Sequence, residues 1–221
     1  MSATEAPPPV RDAATVVVLR PGADGPRVLM GQRGAKAAFM PSKFVFPGGA
    51  VDTGDAAIPL AEPLAPGCLS RLGPRGPVFA AAAIRELWEE TGLALGRPGT
   101  WPSAVPPDWA GFAARGLVPS AGGLSFVFRA ITPPGRPRRF DARFFLVDAG
   151  RLVGDPEDFS AACEELAHLQ WVPLETARSL DLPFITEVVL AEVAAIAAGE
   201  PMESVPFFDN SGPAPVFSRI A

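Results

Sequence analysis

Short apolar runs, cut by clusters of proline and glycine, predict a mixed α/β chain rather than an all-helical or all-β one. Residues 14–20 (ATVVVLR) are β-branched and few, and read as a strand. The cluster at residues 21–25 predicts a turn, with residues 27–32 (RVLMGQ) as the returning strand of a hairpin. Residues 44–46 read as a short strand that stops at Pro47-Gly48-Gly49. Over residues 78–91, Ala80, Ala83, Ile84 and Leu87 fall at i, i+3, i+4 and i+7. That stripe predicts a helix, and Gly92 stands where a helix C′ glycine belongs. Residues 126–132 and 142–147 read as strands around the turn PPGRPRRFD, and residues 166–172 as another. Residues 173–179 and 187–198 read as helices, and a short helix is expected near residues 109–115.

The punctuation between these elements suggests the organisation. Residues 1–13 read as a loose arm, residues 14–199 as one domain, and residues 200–221 as a Pro/Phe-rich tail lying on the domain or on a partner subunit. Residues 56–76 carry several prolines and glycines and no steady period, which predicts a long excursion, either an ordered lid or a disordered loop.

Composition narrows the class. The chain has 221 residues, 48% of them hydrophobic, enough to bury a core. A net charge of −5 argues against a nucleic-acid polymer as partner. Small phosphorylated ligands stay open, because a metal and a few arginines can hold them locally. Cys68 and Cys163 are far apart and outside any CxxC pattern, which argues against zinc and for free thiols in a reducing cytosol. Residues 1–13 lack the apolar stretch of a signal peptide. No run approaches the roughly 20 apolar residues of a membrane helix. The expectation is a cytoplasmic protein away from membranes.

The chemistry concentrates in Arg85-Glu86-Leu87-Trp88-Glu89-Glu90-Thr91-Gly92-Leu93. On a helix, Glu86, Glu89 and Glu90 share one arc of roughly 100°. Like charges at this spacing destabilise a helix by a few tenths of a kcal/mol per pair. They also lie in the last turns, where the macrodipole disfavours anions by roughly 0.3–1 kcal/mol each. A divalent cation would explain carboxylates gathered there, and oxygen donors suit Mg²⁺. A solvated acidic face would explain them as well. Upstream, Phe46-Pro47-Gly48-Gly49 ends a strand in two glycines, which lets backbone approach a ligand closely.

Together these segments resemble the Nudix box, G-x5-E-x7-R-E-U-x-E-E-x-G-U with U aliphatic. Gly49 matches its first glycine, and Arg85, Glu86, Leu87, Glu89, Glu90, Gly92 and Leu93 match its second half. Asp55 stands at the first glutamate position, one methylene shorter. The x7 spacer is replaced by the 29 residues 56–84. Gln32-Arg33, Phe39-Met40-Pro41, the segment from Arg138 to Phe145, and Glu165 with Trp171-Val172-Pro173-Leu174 resemble the branch with an interrupted box, which includes peroxisomal coenzyme A diphosphatases.

The resemblance implies the Nudix fold, a mixed β-sheet sandwiched between α-helices with an insertion inside the box. It implies Mg²⁺ or Mn²⁺ held by Glu86, Glu89 and Glu90 with help from the Gly49 carbonyl. Arg85 would orient a glutamate, and Glu86 or Glu165 would act as general base. Arg33, Arg138, Arg139 and Arg143 are candidate phosphate contacts. Trp101 and Trp109 either pack or stack on a purine. The implied reaction is hydrolysis of a diphosphate bond in a small nucleotide-containing substrate, with coenzyme A or acyl-CoA first. ADP-ribose, NADH or another nucleoside diphosphate derivative is the alternative, and a non-catalytic Nudix-fold binding module a third reading. Many proteins of this kind are dimers, and a homodimer is left open.

Overall fold

A computed structural model describes residues 8–37 and 39–221. The chain runs β1 (Val10–Arg20), β2 (Arg27–Arg33), β3 (Phe44–Val45), β4 (Gly48–Ala50), α1 (Pro66–Leu72), α2 (Gly76–Thr91), β5 (Gly96–Pro98), α3 (Ala110–Ala114), β6 (Leu117–Pro119), β7 (Ser125–Ile131), β8 (Arg139–Asp148), β9 (Leu166–Pro173), α4 (Phe184–Ala197), β10 (Val205–Asp209) and β11 (Val216–Ile220). Nine strands make one sheet in the order β11-β10-β7-β8-β1-β2-β3, with β4 on β1 and β9 on β2. The sheet is mixed: β1 runs parallel to β8 and β7 parallel to β10, while β1–β2, β2–β9 and β7–β8 are antiparallel. β5 and β6 form a separate ribbon.

The sheet is covered on both faces, which explains why β1 reads VVVL rather than alternating with polar residues. Val16 and Val18 join the core beneath α2, with Phe79, Ile84, Leu87, Phe126 and Phe145. Val17 points the other way, to α4, with Met30, Phe128, Phe144, Val189 and Val193. In α2, Ala80, Ala81, Ala82 and Ala83 are all buried. Their small side chains let the helix lie close to β1, a contact the sequence stripe foresees on one side only. Gly92 ends the helix with φ 74°, a left-handed conformation suited to glycine, and its N–H donates to the Trp88 carbonyl.

Several expectations need correction. β1 starts at Val10, inside the segment read as an arm, because it pairs with β8 over the full register from Val10↔Arg139 to Leu19↔Asp148. Residues 1–7 of that arm lie outside the described residues. Residues 173–179 are not a helix: β9 runs to Pro173, and only a 3-10 turn, Ala177–Ser179, follows. Residues 56–76 are ordered and include α1, anchored by the buried Leu64 and Cys68. The tail contributes two strands, which its Pro/Phe richness hid. No helix among the described residues is long and apolar enough to cross a membrane.

An ionic cluster with Asp141 and Arg143 buried at its centre ties β1 to β7 and β8. Asp141 accepts two hydrogen bonds from Arg129, at 2.8 and 2.7 Å, and lies 3.1 Å from Arg143. Arg143 also donates to Asp12 and to the Asp141 carbonyl, and its guanidinium lies 4.1 Å from the Phe79 ring centre. Asp12 takes a further bond from Arg75. Burial alone would raise the Asp12 pKa, but the hydrogen bonds and charges of Arg75 and Arg143 hold it below its ordinary value. Its stabilisation is therefore present above the unfolded-chain pKa and is lost as pH falls through the folded one.

Asp141→Ala should destabilise the fold by about 3 kcal/mol, since it leaves two guanidiniums short of partners. That is a fall of roughly 6–12 °C in Tm for a domain of this size. Asp24→Ala, in an exposed turn, should leave Tm within about 2 °C. Thermal melts followed by circular dichroism check both, and equal Tm values for the two variants would remove the cluster from the stability argument.

Candidate active site

Two close approaches at glycines build the floor of the site. β4 lies on β1 with Gly48↔Thr15 and Gly49↔Ala14. A Cβ on Gly48 would sit 2.6 Å from the Thr15 Cα, and one on Gly49 would sit 2.5 Å from both carboxylate oxygens of Glu86. The first is a backbone contact that nothing can relieve, and the second would push the Glu86 carboxylate from its place, so this strand brings the end of α2 against bare backbone.

Helical spacing then places Arg85, Glu86, Glu89 and Glu90 in the last turns of α2. Arg85 is the hub. Its Nε donates to Asp55 Oδ1 at 3.0 Å, and Nη2 to Asp55 Oδ2 at 3.1 Å and to the Ala50 carbonyl at 3.0 Å. Its Nη1 donates to Glu86 at 2.9 Å and to Glu89 at 3.1 Å. Burial by itself would lower the Arg85 pKa. The Asp55 hydrogen bond and the charges of Glu86, Asp55 and Glu89 outweigh it and hold the group above its ordinary range. Asp55 is only 3% exposed and also accepts the Asp52 N–H at 2.8 Å. The shorter acid at the box position therefore anchors the arginine. Asp52 is half exposed and lies 3.7 Å from Arg85.

The glutamates differ sharply. Glu90 is 2% exposed; its Oε2 accepts the Gly48 N–H at 2.7 Å, while its Oε1 is buried without a hydrogen-bond partner. Desolvation, then the charge of Glu86, raises its pKa well above the ordinary carboxylate value. Burial pushes Glu86 up to about 7 against the opposing pull of Arg85, and it raises Glu89 as well. Among the described residues no group of three Asp, Glu, His or Cys side chains is arranged to hold a metal ion. Arg85 sits between Glu86 and Glu89 instead.

The structure brings two further candidates to this end of α2. Arg33, at the end of β2, donates to Glu165 at 2.8 Å. Glu165 precedes β9 and its side chain is 53% exposed. The negative charge of Glu165 is felt at both Glu86 and Glu90, and the positive charge of Arg33 at Glu90. The Arg33 Nε is buried and unpartnered. Nothing in the local sequence couples Arg33 to Glu165; the β2–β9 pairing, which includes Arg33↔Leu166, does so. A cleft of about 390 Å³ opens on the Arg85 side, lined by Arg11, Asp52, Ile58, Asp108 and Trp109 among others.

Two arginine expectations are corrected. Arg139 and Arg143 are buried with internal partners: Arg139 donates to the carbonyls of Thr132 and Ser211, and Arg143 belongs to the Asp12–Asp141 cluster. Both guanidiniums are drawn inward, away from the glutamates of α2. Arg138 is exposed in the turn before β8, and the structure does not gather it with the glutamates. Trp109 is buried against Trp101 and Phe112, and the Trp101 indole donates to the Leu117 carbonyl, so both pack rather than offer a stacking face.

No family model matches the chain. It is 33% identical over 158 residues to putative nudix hydrolase 7 of Caenorhabditis elegans, an alignment covering 66% of this chain and 46% of that protein. It is 30% identical over 231 aligned positions to acyl-coenzyme A diphosphatase NUDT19 of Gallus gallus, covering 73% and 60%. The chain thus spans about half the length of these curated relatives. Among solved structures, the Nudix hydrolase of Alicyclobacillus acidocaldarius superposes with a TM-score of 0.63 at 31% identity, covering 88% of this chain and 94% of that one. The Nudix domain of Shewanella oneidensis NrtR, solved with ADP ribose, superposes at 0.51 with 12% identity and speaks for the fold alone. A relative matched along nearly its whole length, and a box helix seated on the Gly48–Gly49 strand, lead to one conclusion: this chain belongs to the Nudix hydrolase family.

Proposed function

We propose that the chain hydrolyses a diphosphate bond in a nucleotide-containing small molecule, using Mg²⁺ or Mn²⁺ held at the end of α2. The observation that carries this reading is Glu90: a carboxylate 2% exposed whose Oε1 has no partner. An unpaired buried carboxylate oxygen costs several kcal/mol unless it is protonated or meets a cation. By donor chemistry the residues fit a hard divalent ion, although Glu86 and Glu89 are turned to Arg85 and would swing toward it. All the donors are oxygens, the Gly49 backbone is bare, and Glu86 and Glu89 adjoin Glu90.

Glu86, Glu89, Glu90 and the Gly49 carbonyl would hold the ion. When bound, it supplies charge neutralisation on the diphosphate oxygens and activation of water. Arg85 fixes Glu86 and Glu89 from behind and is itself fixed by Asp55. Glu165, exposed and held by Arg33, is positioned to take a proton from an attacking water, with Glu86 as the other candidate base. Arg33 has a spare buried N–H with which to meet a phosphate oxygen. The products would be the two monophosphates on either side of the broken anhydride. Coenzyme A or an acyl-CoA is the first substrate choice, supported by the 30% identity to an acyl-coenzyme A diphosphatase. ADP-ribose and NADH are the alternatives. A binding module without turnover has no need of carboxylates clustered against the helix dipole, so it ranks last.

Product release from coenzyme A, ADP-ribose, NADH and a nucleoside triphosphate, each with and without Mg²⁺ or Mn²⁺, tests the reading. Turnover of one substrate should require the metal. Glu90→Gln should lower kcat at least about 100-fold, a loss of roughly 2.7 kcal/mol in transition-state stabilisation. Metal-independent turnover, or a Glu90→Gln enzyme with full activity, would sink the mechanism.

Asp55→Ala removes the anchor of Arg85 and leaves a guanidinium almost wholly buried with fewer partners. The expected outcome is a loss of about 3 kcal/mol of stability together with at least tenfold lower kcat. Urea titration and steady-state kinetics measure the two effects. An Asp55→Ala protein with wild-type values of both would show that Ala50 and the α2 glutamates hold Arg85 without Asp55.

A further inference from the structure

The sheet ends in β11, and the outer edge of that strand pairs with nothing among the described residues. Edge strands are usually blunted by lysine, proline, a bulge or brevity. β11 is Val216-Phe217-Ser218-Arg219-Ile220, paired residue for residue with β10 and carrying none of the first three. Val216 is 58% and Phe217 57% exposed. Phe217 stands opposite Phe208, whose ring is 6.0 Å from that of Phe184 at the start of α4, itself 66% exposed. An open backbone edge and an apolar surface therefore meet in one place.

The edge is complementary to itself. Pro206 of β10 stands opposite Arg219 and has no N–H to donate. The β10–β11 ladder keeps all its bonds only if Val205, Phe207 and Asp209 bond with Ile220, Ser218 and Val216. Phe217 and Arg219 then direct their N–H and C=O groups to the open side. Consider a second β11 laid antiparallel about a two-fold axis at Ser218. Phe217 falls opposite the partner's Arg219, and Arg219 opposite the partner's Phe217. These are the residues with free backbone groups, so each pair closes two hydrogen bonds. Strand alternation puts both side chains on one face, where each guanidinium, whose Nη1 donates to Ser204 of its own chain at 3.2 Å, presents its plane to the other copy's phenyl ring. On the opposite face Val216 meets the partner's Ile220. Other registers forfeit backbone bonds or set Arg219 against Arg219.

We propose that the chain forms a two-fold symmetric homodimer through antiparallel β11–β11 pairing, which continues the sheet across both subunits and joins their Phe184–Phe208–Phe217 surfaces. The occupant is a second copy because one strand supplies both halves of the match, as an isologous contact requires.

Sedimentation of the full chain over a range of concentrations reads the outcome, with circular dichroism melts to verify that each variant folds. The wild type should be a dimer. Phe217→Lys sets a cation against the partner's Arg219 twice and should weaken the dimer at least about tenfold. Adding Arg219→Glu to Phe217→Lys turns both contacts into Lys–Glu pairs and should restore it. Ser218→Cys, in a Cys163→Ser background, places one thiol of each copy beside the axis and should give a disulfide-linked dimer on mild oxidation. A chain that stays monomeric at every concentration, or a dimer that survives Phe217→Lys unchanged, overturns the proposal. If Phe217→Lys does not fold, absence of the Ser218→Cys cross-link overturns it.

Discussion

Arg85 holds together what electrostatics would otherwise push apart. Three glutamates at the negative end of a helix repel one another and the helix dipole, and burial makes both penalties larger. A single guanidinium beneath them donates to Asp55, Glu86, Glu89 and the Ala50 carbonyl. Its five N–H groups lie in one plane, and no ammonium could reach the same partners at once. Because Ala50 and Asp55 lie on the strand and turn that follow Gly49, the arginine also locks β4 against the helix. The fold near the site and the arrangement of the carboxylates thus have a common support.

Glu90 is the exception within that arrangement. It takes nothing from Arg85 and receives one backbone N–H, from Gly48. The same glycine strand that supplies this N–H also clears the space occupied by the Glu86 carboxylate. Burial of a carboxylate with one oxygen satisfied and the other bare is a costly state for a folded protein. It is an arrangement in which a positively charged ligand gains more than it would at the half-exposed Glu89.

Local patterns made the box helix, the β1–β2 hairpin and the β7–β8 hairpin legible in the sequence, since each is set by spacing or by a turn cluster. The acidic character of the site was legible too, through the register of Glu86, Glu89 and Glu90. What stayed hidden depends on pairing between distant segments. Arg143 and Asp12 are 131 residues apart, and only the parallel β1–β8 register makes one the counter-ion of the other. In sequence, Arg138, Arg139 and Arg143 look alike. In the fold, alternation and burial turn two of them into structural ions. The tail strands were concealed by their prolines, which Pro206 shows to be compatible with a strand when its missing N–H faces away from the ladder. Residues 173–179 have helix-forming residues, but Pro173 is already committed to β9 through Arg27↔Pro173, and the short remainder closes as a 3-10 turn.

The insertion shows why a motif can be interrupted without being lost. Asp55 must reach Arg85, 30 positions later, and the closure entropy of so long a connection rises only slowly with length. The connection is also not free. Ala61 donates to the Pro119 carbonyl, and the Glu62 carbonyl accepts from Ala121. The Glu62 carboxylate takes bonds from Ser120 and Arg97, so the β5–β6 ribbon grips the first half of the insertion. Leu64 and Cys68 enter the core beside Phe79, which fixes α1 against the start of α2. A Cβ on Gly76 would come within 2.9 Å of Leu69, so the junction between the two helices is close-packed as well. The added segment therefore presents Asp55 to Arg85 from an ordered base. The ribbon that grips it has no counterpart in the box pattern itself. Restraint at Glu62, Leu64 and Cys68 replaces the restraint that a seven-residue spacer would have supplied through shortness alone.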